Sequence, residues 1–212
     1  MIAHVKAKNI LDGWKKSLLA IFNEGEIIEG SDSVRDSTLV LEIEDIADYS
    51  LNSYSAEFPI TYQNILTINK FIVDGSDEEK VIHEWTKLYR KRLVNDKQNQ
   101  ISEIIDYLRN NPSGKRAQAS IWNQEVDLYS DIGPCLQILW FQIINNKLVL
   151  HVHMRASDAY GKLLMNIHEF ASLQRYVATR LGIKCGRYYQ FVDTCHINKQ
   201  DLSTVKEIVS SW

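Results

Sequence analysis

The sequence predicts one α+β domain, a mixed or antiparallel sheet packed by helices. Three observations predict it. Apolar stripes at helical spacing dominate the first half of the 212-residue chain. Runs of β-branched and aliphatic residues dominate the second. No low-complexity linker separates them, since proline occurs only at 59, 112 and 134, and no internal repeat is present.

Taken in order, residues 5–23 carry Val5, Ile10, Leu11, Trp14, Leu18, Leu19, Ile21 and Phe22, a stripe that predicts an amphipathic helix ended by Asn23-Glu24-Gly25. Thr38–Ile43 predicts a strand. Residues 62–73 and 77–93 predict helices, the second opened by the cap-like Ser76-Asp77-Glu78-Glu79. A further helix over 98–109 stops at Asn110-Asn111-Pro112-Ser113-Gly114. Strands follow at Ala117–Trp122, Leu136–Asn145 and Lys147–Met154, the last two joined by a short turn at Asn145-Asn146. Leu163–Leu181 predicts a long helix, Arg187–Ile197 a strand, and 202–211 a terminal helix.

A formal net charge of −3, from 24 Lys and Arg against 27 Asp and Glu, argues against a general nucleic-acid binder. It leaves room for a small phosphate pocket. The three cysteines, Cys135, Cys185 and Cys195, are odd in number and irregular in spacing. They suggest neither a disulfide framework nor a metal site, and so a reducing, cytoplasmic setting. The N-terminal residues show no signal-peptide pattern, and no run reaches eighteen apolar residues, so no membrane span is expected.

Gly133-Pro134-Cys135 reads as a turn delivering a thiol to the start of a strand. Most such cysteines are small buried hydrophobes; a reactive one needs nearby cations. Arg35, Lys115, Arg116 and Arg155 are the candidates, although lone surface arginines are commonly just solvated. Arg155-Ala156-Ser157-Asp158, between a strand and a helix, suits an anion, or merely shapes a turn. Asn166 stands among Leu163, Leu164, Met165 and Ile167. If buried there, its amide matches the O4 and N3–H edge of uracil; if exposed, it is ordinary. His151, His153 and His196 could approach one another, but no ligand spacing supports zinc, and no metal is expected. Cys185 and Cys195 read as structural.

Six segments then stand in a telling order: Asn111-Pro-Ser-Gly-Lys-Arg116, Ser120-Ile-Trp-Asn123, Pro134-Cys135, Arg155-Ala-Ser-Asp158, Asn166-Ile167 and His196-Ile197. Together they resemble the thymidylate synthase superfamily. That family carries a Pro-x-Ser-Arg-Arg loop, a Ser-Ala-Trp-Asn strand, a Pro-Cys nucleophile, an Arg-Ser-x-Asp turn, an Asn on the next helix and a His-x-Tyr strand. The intervals agree over about 98–201, and Pro-Cys-Leu with a compact N-terminal half looks closest to the short archaeal-type members. Residues 1–97 form a divergent N-terminal part of the same single domain.

The resemblance implies a thymidylate synthase-like fold and a covalent mechanism. Cys135 would attack C6 of a pyrimidine nucleoside 5′-monophosphate, and C5 would then take a one-carbon unit from 5,10-methylenetetrahydrofolate or a related reduced pterin. Arg35, Arg116 and Arg155 would grip the phosphate, with Lys115 as a point charge. Lys115 and Arg116 would reach into a neighbouring subunit's site, which implies a homodimer. Asn166 would read the base, Asp158 the base–cofactor region, and His196 the sugar. Ala156 stands where the family has a phosphate-binding Ser, and Asn198 where it has a Tyr on the sugar. Leu136 replaces the His beside the nucleophile, a replacement the archaeal-type members share. The family's general-base Glu has no clear counterpart: Ile68 occupies its place, and Glu57 and Glu84 are candidates. Methylation of dUMP or UMP is the expected reaction. Alternatives are 5-hydroxymethylation of a cytidine or uridine nucleotide, or a catalytically weakened nucleotide-binding homologue.

Overall fold

The structure, a computed structural model, describes residues 1–46 and 58–212. Its first element corrects the expected helix. Ala3, Val5 and Ala7 are buried while their neighbours are exposed, a two-residue period, so Ile2–Ala7 forms strand β1. The helical stripe starts only at Ile10. Asn9 caps that helix, α1 (Ile10–Glu24), its side chain accepting from the Asp12 backbone N–H. After the two-residue β2 (Glu26–Ile27), β3 (Ser33–Ile43) pairs parallel with β1.

α2 (Tyr62–Asp74) ends at Gly75, whose φ of 78° suits a glycine. The helix expected over 77–93 is broken. Asp77 is left-handed and Glu78–Lys80 makes a single 3-10 turn; the chain runs extended at Val81 and again at the cap His83, and α3 spans Glu84–Leu93. Val81 and Ile82 are weak helix formers, and Val81 buries its side chain in the core. α4 (Gln100–Asn110) leads to the short β4 (Gln118–Ser120) and to α5 (Gln124–Asp127). Neither β2 nor α5 had a sequence signal.

β5 (Leu136–Ile144) and β6 (Lys147–Asp158) form a hairpin. Asn145 and Asn146 both have positive φ, 49° and 57°, the twist a two-residue hairpin turn needs. α6 (Leu163–Leu181) crosses to β7 (Lys184–Asn198), parallel to β6, and α7 (Leu202–Ser210) closes the chain. The strand order is β1-β3-β7-β6-β5-β4, with β2 on β3. This sheet is mixed, because two β–helix–β crossovers give parallel pairs and the hairpin gives an antiparallel one.

α1, α2 and α6 pack over one face of the sheet, around the fully buried Trp14 and Phe170. Trp14 Nε1 donates to the Ala159 carbonyl at 3.0 Å, tying α1 to the turn that follows β6. On the opposite face Trp140, His151 and Tyr189 lie in register, 4.9 Å between ring centres at each step, with His151 tilted against Trp140 and stacked on Tyr189. His153 there meets Asp193 at 2.9 Å and the Phe191 ring. The two histidines that might have joined His196 at a metal therefore pack against sheet neighbours instead.

Candidate active site

Cys135 sits at the mouth of β5, held by three contacts that its sequence neighbours supply. Gly133 lies against Trp122, where an added Cβ would come within 2.7 Å of the ring, so only glycine fits there. The Cys135 carbonyl accepts from the Arg155 N–H at 2.9 Å. The next residue, Leu136, donates its N–H to the Tyr89 hydroxyl at 3.3 Å. A register shift between Leu136 and Ile138 follows at once, a bulge of the kind that re-aims side chains beside active sites.

Arg155 braces the same turn from β6. Its Nε donates to the Pro134 carbonyl at 3.1 Å and its Nη2 to the Gly133 carbonyl at 2.5 Å. Burial pushes the Cys135 thiol above its ordinary value, and the Arg155 guanidinium offsets only part of that rise. Arg155-Ala-Ser-Asp158 is accordingly the end of strand β6, where the sequence had suggested a turn beyond one.

Cys135 opens on a cleft with about 590 Å³ of empty space. Its lining has an apolar part, Trp85 and Tyr89 of α3 with Met165 of α6, and a polar part, Ser157, Asp158, Asn166 and His196. Asn166 is 4% exposed, so the buried alternative for its amide is the observed one. The Ser157 hydroxyl is buried without a hydrogen-bond partner, a group left for a ligand to satisfy. Asp158 Oδ1 accepts from the N–H groups of Tyr160 and Gly161, each at 3.0 Å. Burial raises its carboxyl above the usual range; those N–H bonds and His196 oppose the rise, and Asp201 adds to it. His196 lies opposite Asp158 in the β6–β7 register.

Two basic side chains also face the cleft. Lys162 Nζ lies 3.1 Å from His83 Nδ1. Desolvation, aided by the Lys162 charge, drives His83 down to about 4, so at neutral pH the imidazole is neutral and accepts from the ammonium. His83, Trp85, Tyr89, Lys162 and Met165 were not singled out as site residues in the sequence, and Ser157 was named only within the Arg155–Asp158 segment. Spacing offered a faint signal: Trp85 and Tyr89 stand four apart, and Lys162 stands four before Asn166.

Other expected residues lie elsewhere. Arg35 is on β3, its Nη1 donating to the Gly25 carbonyl at 3.1 Å, one register step from the strand partner of His196. Lys115 and Arg116 are exposed before β4, and Arg116 stacks over Tyr107 at 4.9 Å. Asn198 ends β7 opposite Ser33, outside the lining of the cleft. Glu84 is exposed and paired with Lys87 at 2.8 Å. Ile68 is buried in the core, and Glu57 lies outside the described residues. Among the described residues, Asp158 is the carboxylate lining the cleft, and no helix is long and apolar enough to cross a membrane.

The thymidylate synthase family profile matches residues 51–211. The chain belongs to the thymidylate synthase family. A Methanosarcina acetivorans protein named "Putative thymidylate synthase" is 28% identical over 209 residues, covering 97% of this chain and 94% of that one. One of the same name from Methanocaldococcus jannaschii is 25% identical over 198 residues, 91% of this chain and 89% of that one. A Listeria monocytogenes protein named "Thymidylate synthase" is 24% identical over 180 residues, 79% of this chain but 56% of that one. The chain thus resembles the short archaeal members along nearly their whole length. Membership makes it an enzyme of one-carbon transfer to a pyrimidine, and the α+β fold with its mixed sheet agrees with the family.

Proposed function

We propose that this enzyme methylates C5 of a uracil nucleoside 5′-monophosphate, dUMP or UMP, through a covalent bond from Cys135 to C6. The observation that carries the reading is the meeting of Cys135, Asn166, Asp158 and His196 in one cleft that Trp85, Tyr89 and Met165 also line. The Cys135 thiolate adds to C6, and the electron pair moves to C5, making that carbon the nucleophile. Asn166 offers a donor and an acceptor to the O4 and N3–H edge. Asp158 serves the base and cofactor region, and His196, beside it, the sugar. Trp85, Tyr89 and Met165 form an apolar surface that fits a planar pterin. A methylenetetrahydrofolate-type donor, when bound there, would supply both the methylene carbon and the hydride that reduces it to methyl. After transfer, loss of the C5 proton leaves an exocyclic methylene, and hydride addition to that carbon with departure of Cys135 from C6 restores the ring. Among the residues lining the cleft, the neutral imidazole of His83, held beside Lys162, could accept that proton, given that Ile68 stands where a glutamate was expected.

Phosphate anchoring falls to Arg155 from its own chain and, in a homodimer, to Lys115 and Arg116 of the second copy. Their exposure, away from the cleft within one chain, supports that sharing. So does the aromatic sheet face of Trp140, Tyr189 and Phe191, which offers a second copy an apolar surface. Arg35 completes the set from β3, and Asn198 marks an altered sugar end of the site.

One assay tests the whole reading. With methylenetetrahydrofolate, dUMP or UMP is expected to gain a methyl group by mass. A gain of CH₂O on any of dUMP, UMP, dCMP or CMP makes the enzyme a hydroxymethylase, and no product from any of the four sinks both activities. Cys135→Ala is expected to abolish turnover while nucleotide binding, followed by calorimetry, persists.

A further inference from the structure

Behind the cleft, one turn of α6 beyond Asn166, lies Glu169, fully buried. It does not line the cleft, yet it touches a residue that does: Asn166 Nδ2 donates to Glu169 Oε2 at 3.4 Å. The other carboxyl oxygen has no hydrogen-bond partner, and Thr86 Oγ1 of α3, which faces it and favours its charge, is itself unpartnered. The remaining titratable groups around it are Tyr89 of α3 and Tyr188 of β7, both phenols that burial keeps neutral. No cation faces it. A carboxyl buried on these terms costs stability, and a leucine or serine would fill the space more cheaply. Its contact with Asn166 supplies a reason for it to be there.

The two ends of an asparagine amide are chemically opposite. Uracil presents an acceptor at O4 and a donor at N3; cytosine presents a donor at N4 and an acceptor at N3. An Asn side chain suits one edge or, turned half around, the other. Turned that way, Asn166 would bring Oδ1 against Glu169 Oε2, two acceptors with no proton between them unless Glu169 is protonated. We infer that Glu169 is a positioning residue that fixes the Asn166 amide and thereby sets the preference for uracil over cytosine. This rests on the reading of the cleft as a pyrimidine-nucleotide site, and adds to it the group that sets base choice. Burial lifts the Glu169 carboxyl to about 8, so the lock tightens as the pH rises past that value: ionised, Glu169 only accepts, whereas neutral it can donate to Oδ1 and tolerate the turned amide.

Calorimetric binding of dUMP, dCMP, UMP and CMP at about pH 8.5, where Glu169 is largely ionised, to the full-length enzyme, to Glu169→Gln and to Glu169→Leu tests this. The wild type is expected to prefer the uracil member of each pair. Both variants are expected to lose about tenfold or more of that preference, because Gln accepts either amide orientation and Leu directs neither. A merely structural role would weaken all four nucleotides together and leave the ratio unmoved, and that result overturns the inference. In the wild type the ratio is expected to rise between about pH 6.5 and 8.5, the span over which Glu169 ionises; Glu169→Gln, which keeps His83, Cys135, Asp158, Lys162 and His196, is expected to be flat by comparison. If the variants do not fold, the wild-type profile decides alone, and a ratio constant with pH overturns the inference. A wild type that binds none of the four nucleotides overturns the cleft reading and the inference together, which separates the two failures.

Discussion

At the scale of single residues, Arg155 acts on Cys135 in two ways. It holds the carbonyls of Gly133 and Pro134, and its charge favours the thiolate against the effect of burial. Arg155→Met keeps most of the side-chain volume and removes both effects. Alkylation of Cys135 by iodoacetamide is expected to slow several-fold at pH 8, with its pH midpoint moved upward; an unchanged midpoint would show that the guanidinium does not act on the thiol. Glu169 gives a second prediction, on stability. Its carboxyl ionises near 4.5 when unfolded and at about 8 when folded. Between those values the folded state holds a proton that the unfolded state has lost, so stability falls as pH rises through that window. The loss is on the order of a few kcal/mol by pH 8. Melting temperatures of Glu169→Gln are expected to pull ahead of wild type from pH 5 to 8; parallel curves would mean that the carboxyl is not buried as described. None of this was visible in the sequence, where Glu169 is one acid among many. The candidate nucleophile Cys135 and the candidate base-reading Asn166 were visible, because Pro134-Cys135 and Asn166 are parts of spaced motifs.

Elements set where those residues point. α6 contributes Asn166 to the cleft and Glu169 behind it because residues three apart share a helix face. Its C-terminus is closed by Gly182 at φ 70°, whose N–H bonds to the Ala178 and Thr179 carbonyls. An added Cβ there meets nothing within 4 Å, so the cost of Gly182→Ala is purely conformational, about 1 kcal/mol. The melting temperature is expected to drop by about 2–4 °C with the KM for nucleotide unchanged. A change in KM would show that this end of the helix is coupled to the site. α6, the hairpin and its Asn145-Asn146 turn were legible from periodicity and turn chemistry. β1 was not, because Val5 fits a helical stripe as well as a strand, and only its parallel pairing with β3 decides between them. The break at Val81-Ile82-His83 was hidden for a similar reason. A cap-like Ser-Asp-Glu-Glu preceded it, yet burying Val81 and placing His83 over the cleft required the helix to restart at Glu84.

For the whole molecule, the number of chains that build one site decides how the phosphate is held. Lys115 and Arg116 stand exposed, away from the cleft of their own chain. A site shared between two copies predicts complementation: Cys135→Ala and Arg116→Ala, each inactive alone, regain up to about a quarter of wild-type activity when mixed and allowed to exchange subunits. No recovery, despite mixed dimers seen by native mass spectrometry, would place each site within one chain. By itself the sequence determined the α+β class and, through six motifs in order, the family, and it pointed by that resemblance to Cys135 and Asn166 as candidates, because motif order and local spacing need no folded partner. Only the tertiary structure decided that Cys135, Asp158, Asn166 and His196 line one cleft, that His83 and Lys162 join them, and that Glu169 stands behind the reading amide. Burial and contact between α3, α6, β6 and β7 are long-range facts. They arise when the helices close over one face of a mixed sheet, and no interval along the chain records them.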